Sequence, residues 1–327
     1  MSISSISNTA KKVNSFLRSR LEGNPKELYK AASHLIEYGG KRLRPYMVIK
    51  SCEALGGTIK QAMPAAAAVE MIHNFTLVHD DIMDNDEMRH GVPTVHTKFG
   101  MPVGILAGDV LFSKAFETIS STDYKTPKEV SLALVSKLAQ ACVDVCEGQI
   151  LDIMMAQSSE IPTESQYIRM IEKKTAALFK VSCAMGAICA NTKRKDVVNL
   201  SSFGKNLGIA FQIVDDLIGI IGDSRITKKP VGNDIREGKK SLPILLAISI
   251  SKDQKKEEIL NAFGNSNASK DEIDLAVKNI TSLGIEKIVR KKAMKYSNAA
   301  NKSLSCYNGA PKKELVSLLE FVVERSL

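Results

Sequence analysis

Three aspartates early in the chain have a spacing that suits a bound cation. Asp80, Asp81 and Asp84 occupy positions i, i+1 and i+4. On a helix, residues i and i+4 share a face, and residue i+1 lies about 100° round the axis. Three carboxylates in one sector repel each other, which destabilises an apolar helix unless a cation neutralises them. Oxygen ligands of this kind favour Mg²⁺, which also takes phosphate oxygens and water. The alternative is a solvated acidic cap, since Asp86 and Glu87 follow directly.

A second acidic pair follows an apolar segment much later in the chain. Asp215 and Asp216 lie between Phe211 and Ile220, and Asp223 follows two turns after Asp215. Burying two carboxylates in such a segment without cations would be very costly. Two carboxylate-bearing helices with metal ions between them could hold a diphosphate from both sides. We therefore expect the two acidic turns to face a shared pocket.

Positively charged residues cluster at breaks in the pattern, where they suit an anionic ligand. The turn at 39–45 holds Lys41, Arg42 and Arg44 behind two glycines. Point charges and a guanidinium fork at such a turn suit a diphosphate. Further cations occur at Arg89-His90, Lys173-Lys174, Lys228-Lys229 and Lys239-Lys240. Each of these alone is most often a solvated loop, so their meaning depends on the whole set.

The segments that carry these residues have the periodicity of helices. Between clusters of Pro and Gly lie long stretches rich in good helix formers, such as 128–156 and 164–203. Stretches that are apolar all round, such as 176–187, are typical of the middle of a large helical bundle. Shorter helices are expected from about 250 to the end. No linker divides the chain, so the pattern predicts one all-α domain over residues 1–327.

Composition excludes several other classes of protein. Apolar residues make up 44% and charged residues 25%, which is typical of a folded soluble protein and not of a disordered one. Aromatic residues make up 5% and Trp is absent, so nucleic-acid binding has only the net charge of +9 in its favour. Six cysteines without metal spacing predict reduced thiols in a cytoplasmic protein. No apolar run is long enough to span a membrane. The basic, Ser-rich first twenty residues faintly resemble a transit peptide, but their apolar spacing favours a first helix.

Taken in order, the motifs resemble those of the trans-isoprenyl diphosphate synthase family over residues 39–243. The first aspartate-rich motif is Asp80-Asp81-Ile82-Met83-Asp84, and the second is Phe211-Gln212-Ile213-Val214-Asp215-Asp216. Between and after them, in the family's order, stand Glu147-Gly148-Gln149, Asp152, Lys174-Thr175 and the series Lys229, Gly232, Asp234 and Lys239. A lone aspartate-rich motif is a weak signal, whereas this ordered set is a specific one.

The resemblance implies a fold, a cofactor and a reaction. The fold is a bundle of long helices around a deep central cavity, the isoprenoid synthase fold, in a homodimer. The cofactor is Mg²⁺, with three ions per site when substrate is bound. The reaction joins isopentenyl diphosphate to an allylic diphosphate, either dimethylallyl, geranyl or farnesyl. The allylic fragment leaves as a carbocation, the isopentenyl double bond attacks it, and a proton is lost to the departing diphosphate. The protein mainly positions the groups, stabilises charge and excludes water.

The same resemblance assigns roles to individual residues. The Mg²⁺ ligands would be Asp80, Asp84 and Asp215, with Asp81, Asp152 and Asp216 in supporting positions. The allylic diphosphate would be held by Arg89, Lys174 and Lys229. Isopentenyl diphosphate would be held by Lys41, Arg44 and His73, with His90, Gln149 and Lys239 as further substrate-binding residues. Thr175 and Gln212 would turn their dipoles toward the developing cation.

The chain departs from the family's pattern at two positions. His90 stands where the family usually has a second arginine that serves isopentenyl diphosphate. Imidazole has a reference pKa of about 6.5 and lacks the guanidinium fork, so isopentenyl diphosphate binding should strengthen as pH falls. Gly219 stands where many members have a third aspartate, a pattern that archaeal-type relatives share.

The residues just before the first motif bear on product length. Phe75 lies five positions before Asp80, and its neighbour Thr76 is small. In the family, a single aromatic residue beside a small one resembles the archaeal producers of geranylgeranyl diphosphate (C20), whereas two aromatics suggest farnesyl diphosphate. Alternatively, Phe75 is an ordinary core residue.

Other functions remain open at this stage. The chain could make farnesyl diphosphate or longer products, or act as a non-catalytic subunit of a heteromeric synthase. A terpene cyclase has no need for the second diphosphate site that Lys41, Arg44 and His73 would form. A di-iron bundle would need Glu-x-x-His pairs on neighbouring helices, which this sequence lacks.

Overall fold

The computed structural model describes residues 3–221 and 232–323, and most of them are helical. The all-α prediction is confirmed, and the described part adds one short β-hairpin. The chain forms two compact units. The first comprises residues up to Cys142 together with Leu178–Ser201 and Leu304–Leu315. The second comprises Val143–Ala177, Ser202–Ser303 and residues from Val316 onward.

The described residues form helices and two short strands in the following order. The first seven helices are α1 (Ile3–Arg20), α2 (Lys26–Tyr38), α3 (Leu43–Glu53), α4 (Ile59–Met83), α5 (Val95–Phe99), α6 (Met101–Ser120) and α7 (Lys128–Gln157). Strands β1 (Met88–Arg89) and β2 (Val92–Pro93) form an antiparallel hairpin after α4, and a 3₁₀ turn covers Thr122–Tyr124. Next come α8 (Glu164–Ile171), a π-helical segment (Glu172–Ala176), α9 (Ala177–Cys189) and α10 (Arg194–Ile221). The last six are α11 (Asn233–Arg236), α12 (Leu242–Ile250), α13 (Asp253–Ala262), α14 (Lys270–Ser282), α15 (Ile285–Ser303) and α16 (Gly309–Val323).

Helix α4 lies at the centre of the first unit. Thr58 and Gln61 form a capping box that satisfies backbone donors at its start. The run Ala65–Ala68 is fully buried, and these small side chains let α3 and α6 pack closely against α4. In α1, Val13 and Leu17 are also fully buried, which confirms the predicted first helix. Packing on several sides explains why α4 has little amphipathic character, and it fixes the direction in which the acidic end of α4 points.

The second unit is organised around the short apolar helix α12. Leu242, Ile244 and Leu245 of α12 pack in one cluster with residues of α8, α10, α13, α14 and α15. A helix that is apolar all round must be covered on every side, and its position in this cluster provides that cover. The same cluster includes Tyr167 of α8 and Leu217 of α10, so it fixes the helices that carry the second acidic pair.

The predicted helical stretches differ in accuracy. The stretch 128–156 is confirmed by α7, whereas 164–203 is interrupted twice. The chain turns between α9 and α10 at Asn191, which adopts the left-handed conformation with φ 52°. Asparagine tolerates this conformation better than most residues, and the sequence has neither Gly nor Pro there to mark the break. Among the described residues, no helix is both long enough and apolar enough to cross a membrane.

Candidate active site

The end of α4 brings the first three aspartates together in different environments. Asp81 is completely buried and accepts a hydrogen bond from Nε of Arg89 at 2.5 Å. Burial raises the pKa of Asp81 to about 6, although the Arg89 charge opposes this shift. Asp84 is exposed at the helix end, where its backbone N–H donates to the carbonyl of Asp80 at 2.8 Å. The buried carboxylate therefore holds an arginine, whereas the Asp84 side chain is exposed at the end of the helix.

A tight turn places Arg89 against Asp81. His90 and Gly91 both have positive φ, 53° and 80°, as the turns that favour two-residue hairpins require. The hairpin β1–β2 folds the chain back toward the end of α4, so the Arg89 guanidinium also reaches within 3.8 Å of Asp86. A cation assigned to the allylic diphosphate is thus placed beside the first acidic motif.

The basic loop (residues 39–45, which run into the start of α3) and helix α4 bring together residues assigned to isopentenyl diphosphate. The guanidinium of Arg44 lies 4.6 Å from the ring centroid of Phe179, and its Nη1 lies 3.1 Å from Nε2 of His73. Burial lowers the pKa of Arg44 to about 10, so it remains charged at neutral pH. Burial and the nearby Arg44 charge put the pKa of His73 well below its usual value. His73 is then neutral and can accept a hydrogen bond from Arg44. Lys41 is exposed in the same loop.

His90 also lies next to this loop. A Cβ added at Gly39 would sit only 3.1 Å from the His90 imidazole. Burial lowers the pKa of His90 below its usual value, and the charges of Arg89 and Arg42 lower it further. His90 is therefore mainly neutral at pH 7 and lacks the charge of the arginine that the family has there.

The residues assigned to product length lie in an aromatic row between α4 and α6. The Phe75 ring packs edge-on against His79 and Phe112, with centroid distances of 4.7 and 5.2 Å. Phe116 continues the row at 5.0 Å from Phe112. Thr76 is half-buried, and its hydroxyl donates to the carbonyl of His73 at 2.8 Å. Phe75 is thus part of a stacked group and not an isolated side chain.

In the second unit, Asp216 collects three hydrogen-bond donors. Tyr167 Oη donates to Asp216 Oδ2 at 2.6 Å, while Gln212 Nε2 and Lys239 Nζ donate to Oδ1 at 2.9 and 3.1 Å. Asp216 is buried, and its neighbour Asp215 is exposed. The buried carboxylate therefore orients side chains, whereas Asp215 is the exposed carboxylate of the pair.

The π-helical segment presents Lys174 and Thr175. Lys174 forms an ion pair with Asp152 at 2.6 Å, and the Thr175 hydroxyl donates to Oε1 of Gln212 at 2.8 Å. Gly148 of α7 makes this approach possible, because a Cβ there would lie 2.1 Å from the Lys174 backbone nitrogen. Gln149 follows it and is half-buried. Single-turn π-helical insertions are frequent at functional sites.

The residues after the second motif contact Asp216 and its surroundings. The Lys239 ammonium also lies 3.4 Å from Asp234, and attraction to Asp216 raises the pKa of Lys239 strongly. A Cβ at Gly219 would lie 2.5 Å from Asp234 Oδ2, so the Asp234 carboxylate fills the space beside this glycine. The second departure from the family pattern thus has a local explanation. Lys229 and Asp223 lie outside the described residues.

The carboxylates fit a divalent cation that is shared with a ligand. No group of three metal-ligating side chains converges on one point within residues 3–221 and 232–323. Oδ2 of Asp81 is buried and has no hydrogen-bond partner in this described portion. Mg²⁺ typically binds one or two carboxylates and completes its shell with phosphate oxygens and water. Exposed Asp84 in the first unit and exposed Asp215 in the second are each the kind of oxygen donor that Mg²⁺ takes beside phosphate oxygens.

Comparison with known proteins decides the family. A family model described as polyprenyl synthetase matches residues 25–280. The chain belongs to the polyprenyl synthetase family. Geranylgeranyl diphosphate synthase of Sulfolobus acidocaldarius is 40% identical over 96% of this chain and 95% of its own length. The resemblance to trans-isoprenyl diphosphate synthases is thereby confirmed, and the chain is a prenyltransferase of that type.

Solved structures agree with this assignment. The crystal structure of geranylgeranyl pyrophosphate synthetase from Pyrococcus horikoshii is 37% identical, with a TM-score of 0.92 over 99% of this chain and 98% of that one. A polyprenyl synthase from Caulobacter crescentus, crystallised with calcium and isoprenyl diphosphate, is 31% identical, with a TM-score of 0.88 over 99% and 98%. The isoprenoid synthase fold is therefore confirmed, and a divalent metal is implied for the family.

Three residues of this polyprenyl synthetase make contacts that the sequence did not predict. Tyr167 gave no signal because nothing near it in the chain predicts an aspartate partner. Glu70 lies in an alanine-rich helix, and its burial beside Arg42 is visible only in the fold. Lys240 was noted as one of several loop cations, but its Nζ donates to the carbonyls of Met155 (2.7 Å), Ser158 (2.5 Å) and Glu160 (2.9 Å) around the end of α7.

Proposed function

We propose that the chain is a geranylgeranyl diphosphate synthase, which condenses isopentenyl diphosphate with dimethylallyl, geranyl or farnesyl diphosphate to a C20 product. The observation that carries this proposal is the single aromatic residue Phe75, stacked on Phe112, beside the small Thr76. Its similarity over nearly the whole chain to the Sulfolobus acidocaldarius geranylgeranyl diphosphate synthase supports the same product.

We propose that Asp80, Asp84 and Asp215 ligate Mg²⁺, with three ions per site when substrate is bound. When present, the metal supplies positive charge that stabilises the departing diphosphate. Asp81 and Asp216 serve in a different way, because each is buried and bonded to cationic or neutral donors of the protein. Asp152 likewise forms an ion pair with Lys174. In this proposal the ion pair positions the Lys174 ammonium for the diphosphate.

The remaining side chains bind the two diphosphates and protect the cation. Arg89, Lys174 and Lys229 hold the allylic diphosphate in this proposal, while Lys41, Arg44 and His73 hold isopentenyl diphosphate. Gln149 and Lys239 add further contacts to substrate.

The neutral side chains near the second motif are oriented by one chain of hydrogen bonds. Thr175 donates to Gln212, and Gln212 donates to Asp216. With its hydrogen donated, the Thr175 oxygen is left as an acceptor that can stabilise a nearby allylic cation. The isopentenyl double bond then attacks the cation, and the departing diphosphate takes the proton.

The decisive experiment is product sizing. The purified chain is incubated with Mg²⁺, isopentenyl diphosphate and each allylic starter, and the products are separated by length. A C20 product supports the proposal, whereas C15 or products longer than C20 refute the chain-length assignment. Elongation with none of the starters by a folded chain would favour a non-catalytic subunit. As controls, Asp84→Asn and Asp215→Asn should each lower kcat by about 10²-fold or more, because metal charge stabilisation is worth several kcal/mol.

We also propose a homodimer in the cytoplasm. Four residues of α7 lie on one face at spacings of three and four, and all are exposed: Val143, Cys146, Ile150 and Met154. An exposed apolar stripe of this kind marks a protein-protein interface. Val143→Glu combined with Ile150→Glu should convert a dimer to a monomer in light scattering. Leu275→Glu, which alters an exposed apolar residue of α14, should leave the mass unchanged.

A further inference from the structure

The loop at 39–45 contains one arginine that no ligand could reach. The Arg42 side chain is 3% exposed and sits at the start of α3 with φ 52°. Its Nε donates to Oδ1 of Asn14 at 2.7 Å, its Nη1 to Oε1 of Glu70 at 3.0 Å, and its Nη2 to the carbonyl of Ile36. One guanidinium thus joins α1, the end of α2 and α4 to the loop that contains it.

Its partner Glu70 is equally enclosed. The Glu70 side chain is also 3% exposed, and Asn74 Nδ2 donates to its carbonyl at 2.8 Å and lies 3.4 Å from Oε1. A buried ion pair gains little net stability, because desolvation offsets the attraction, although loss of one partner is strongly destabilising. A contribution to the stability of the fold therefore explains this ion pair poorly. The position of the pair suggests a role in placing neighbouring residues.

The pair connects the two segments that carry the isopentenyl diphosphate ligands. Arg42 stands between Lys41 and Arg44, while Glu70 precedes His73 by three positions on α4. The guanidinium also packs beneath Gly40, where a Cβ would lie 2.2 Å from Nη1. Residues three apart on a helix share a face, so a shift of Glu70 would be passed to His73.

We propose that Arg42 and Glu70 are positioning residues, which set the distance between Lys41 and Arg44 on one segment and His73 on the other. Neither touches substrate. The inference rests on the proposed function, because it assumes that these three side chains hold isopentenyl diphosphate. A displaced loop would weaken this one site and leave the metal-bound allylic diphosphate in place.

The test compares the two Michaelis constants in Arg42→Lys and Glu70→Gln. Arg42→Lys keeps the charge and loses the fork, and Glu70→Gln keeps the shape and loses the charge. Each should raise KM for isopentenyl diphosphate by about tenfold, with kcat and the allylic KM changed by less than about threefold. Glu314→Gln, which breaks the Lys50–Glu314 ion pair (2.7 Å) of the same unit, should alter neither KM.

The outcomes separate this inference from the proposed function. Equal rises in both Michaelis constants, or none, would overturn the positioning role. If the unaltered chain elongates no starter and binds no isopentenyl diphosphate, the proposed function fails first and this inference fails with it. If Arg42→Lys does not fold, Asn14→Ala removes only the Nε contact, and it should raise the isopentenyl diphosphate KM by about threefold. An unchanged KM in a folded Asn14→Ala would count against the proposal.

Discussion

The Tyr167 hydroxyl donates to Oδ2 of Asp216 at 2.6 Å, and both side chains are buried. Burial and the neighbouring Asp216 charge raise the pKa of Tyr167 well above its usual value, so the hydroxyl keeps its proton and remains a donor. The other oxygen of Asp216 holds Gln212 and Lys239. The tyrosine therefore fixes one side of a carboxylate whose other side orients two residues of the candidate active site.

Tyr167→Phe should lower kcat about tenfold. The change leaves one oxygen of the buried Asp216 carboxylate without this donor, which costs roughly 1–3 kcal/mol and lets the carboxylate reorient. The ring remains, so core packing should change little. Tyr307→Phe is the matched control, since Tyr307 also donates to an aspartate, Asp196, at 3.1 Å. Steady-state kinetics should show the loss only in the first variant. Similar kcat values for the two variants would argue that Tyr167 is merely structural.

Gly148→Ala should impair the enzyme more than its effect on stability explains. The added Cβ would lie 2.1 Å from the Lys174 nitrogen and 2.5 Å from its Cα, so the π-helical segment must move. Overpacking of this kind typically costs about 1–3 kcal/mol of stability. Displacement of Lys174 should lower kcat as well, measured on the folded fraction.

The control for this change is another crowded helical glycine. In Gly186→Ala the Cβ would lie 2.3 Å from the carbonyl oxygen of Val48, and neither residue belongs to a motif. Thermal unfolding should show that both variants lose stability, whereas only Gly148→Ala should lose turnover per folded molecule. Equal kcat in the two folded variants would show that the segment tolerates a shift.

The His90 position should make isopentenyl diphosphate binding depend on pH. The pKa of His90 is lowered by burial and by the Arg89 charge, so the imidazole gains its proton only on the acid side of about 6.5. Protonation adds a cation beside the basic loop, so KM for isopentenyl diphosphate should fall relative to that of His90→Arg, whose charge is constant. Taking the ratio of the two Michaelis constants cancels titration of the diphosphate itself.

Protonation of His90 should bring the two Michaelis constants closer together at low pH. The ratio of wild-type KM to His90→Arg KM should shrink toward one between pH 8 and pH 5.5, and His90→Gln should give a ratio without this trend. Because a histidine with a lowered pKa binds fewer protons when folded, it also reduces stability as pH falls. Assays should therefore be accompanied by circular dichroism at each pH. A constant ratio across the range would exclude a role for His90 charge.

Local patterns predicted the helices well, because helix formation depends on neighbours in the chain. Asp80 and Asp84 share a face through helical geometry alone, and Lys174 and Thr175 were identified by their order in a motif. Partners distant in the chain could not be predicted in this way. Tyr167 lies 49 positions from Asp216, and no spacing rule links them.

Burial distinguishes residues that look equivalent in the sequence. Arg42 and Arg44 look equivalent in the sequence, yet the first is enclosed by Asn14, Glu70 and Ile36, and the second contacts His73. The same holds for adjacent aspartates, since Asp216 is buried and Asp215 is exposed. The sequence shows where charged side chains occur, but the fold determines which of these side chains a ligand can reach.

Product length should respond to the aromatic row in both directions. Phe75→Ala removes the ring that packs on His79 and Phe112, which opens space beside α4 and should lengthen the product beyond C20. Thr76→Phe places a second ring next to Phe75 and should shorten it. Truncation of a half-buried ring should also cost about 2 kcal/mol of stability. Phe263→Ala, which truncates a half-buried ring of the second unit, should lower stability by a similar amount without changing product length. Mass analysis of the products from all three variants gives the answer, and unchanged lengths in both α4 variants would show that Phe75 is only a core residue.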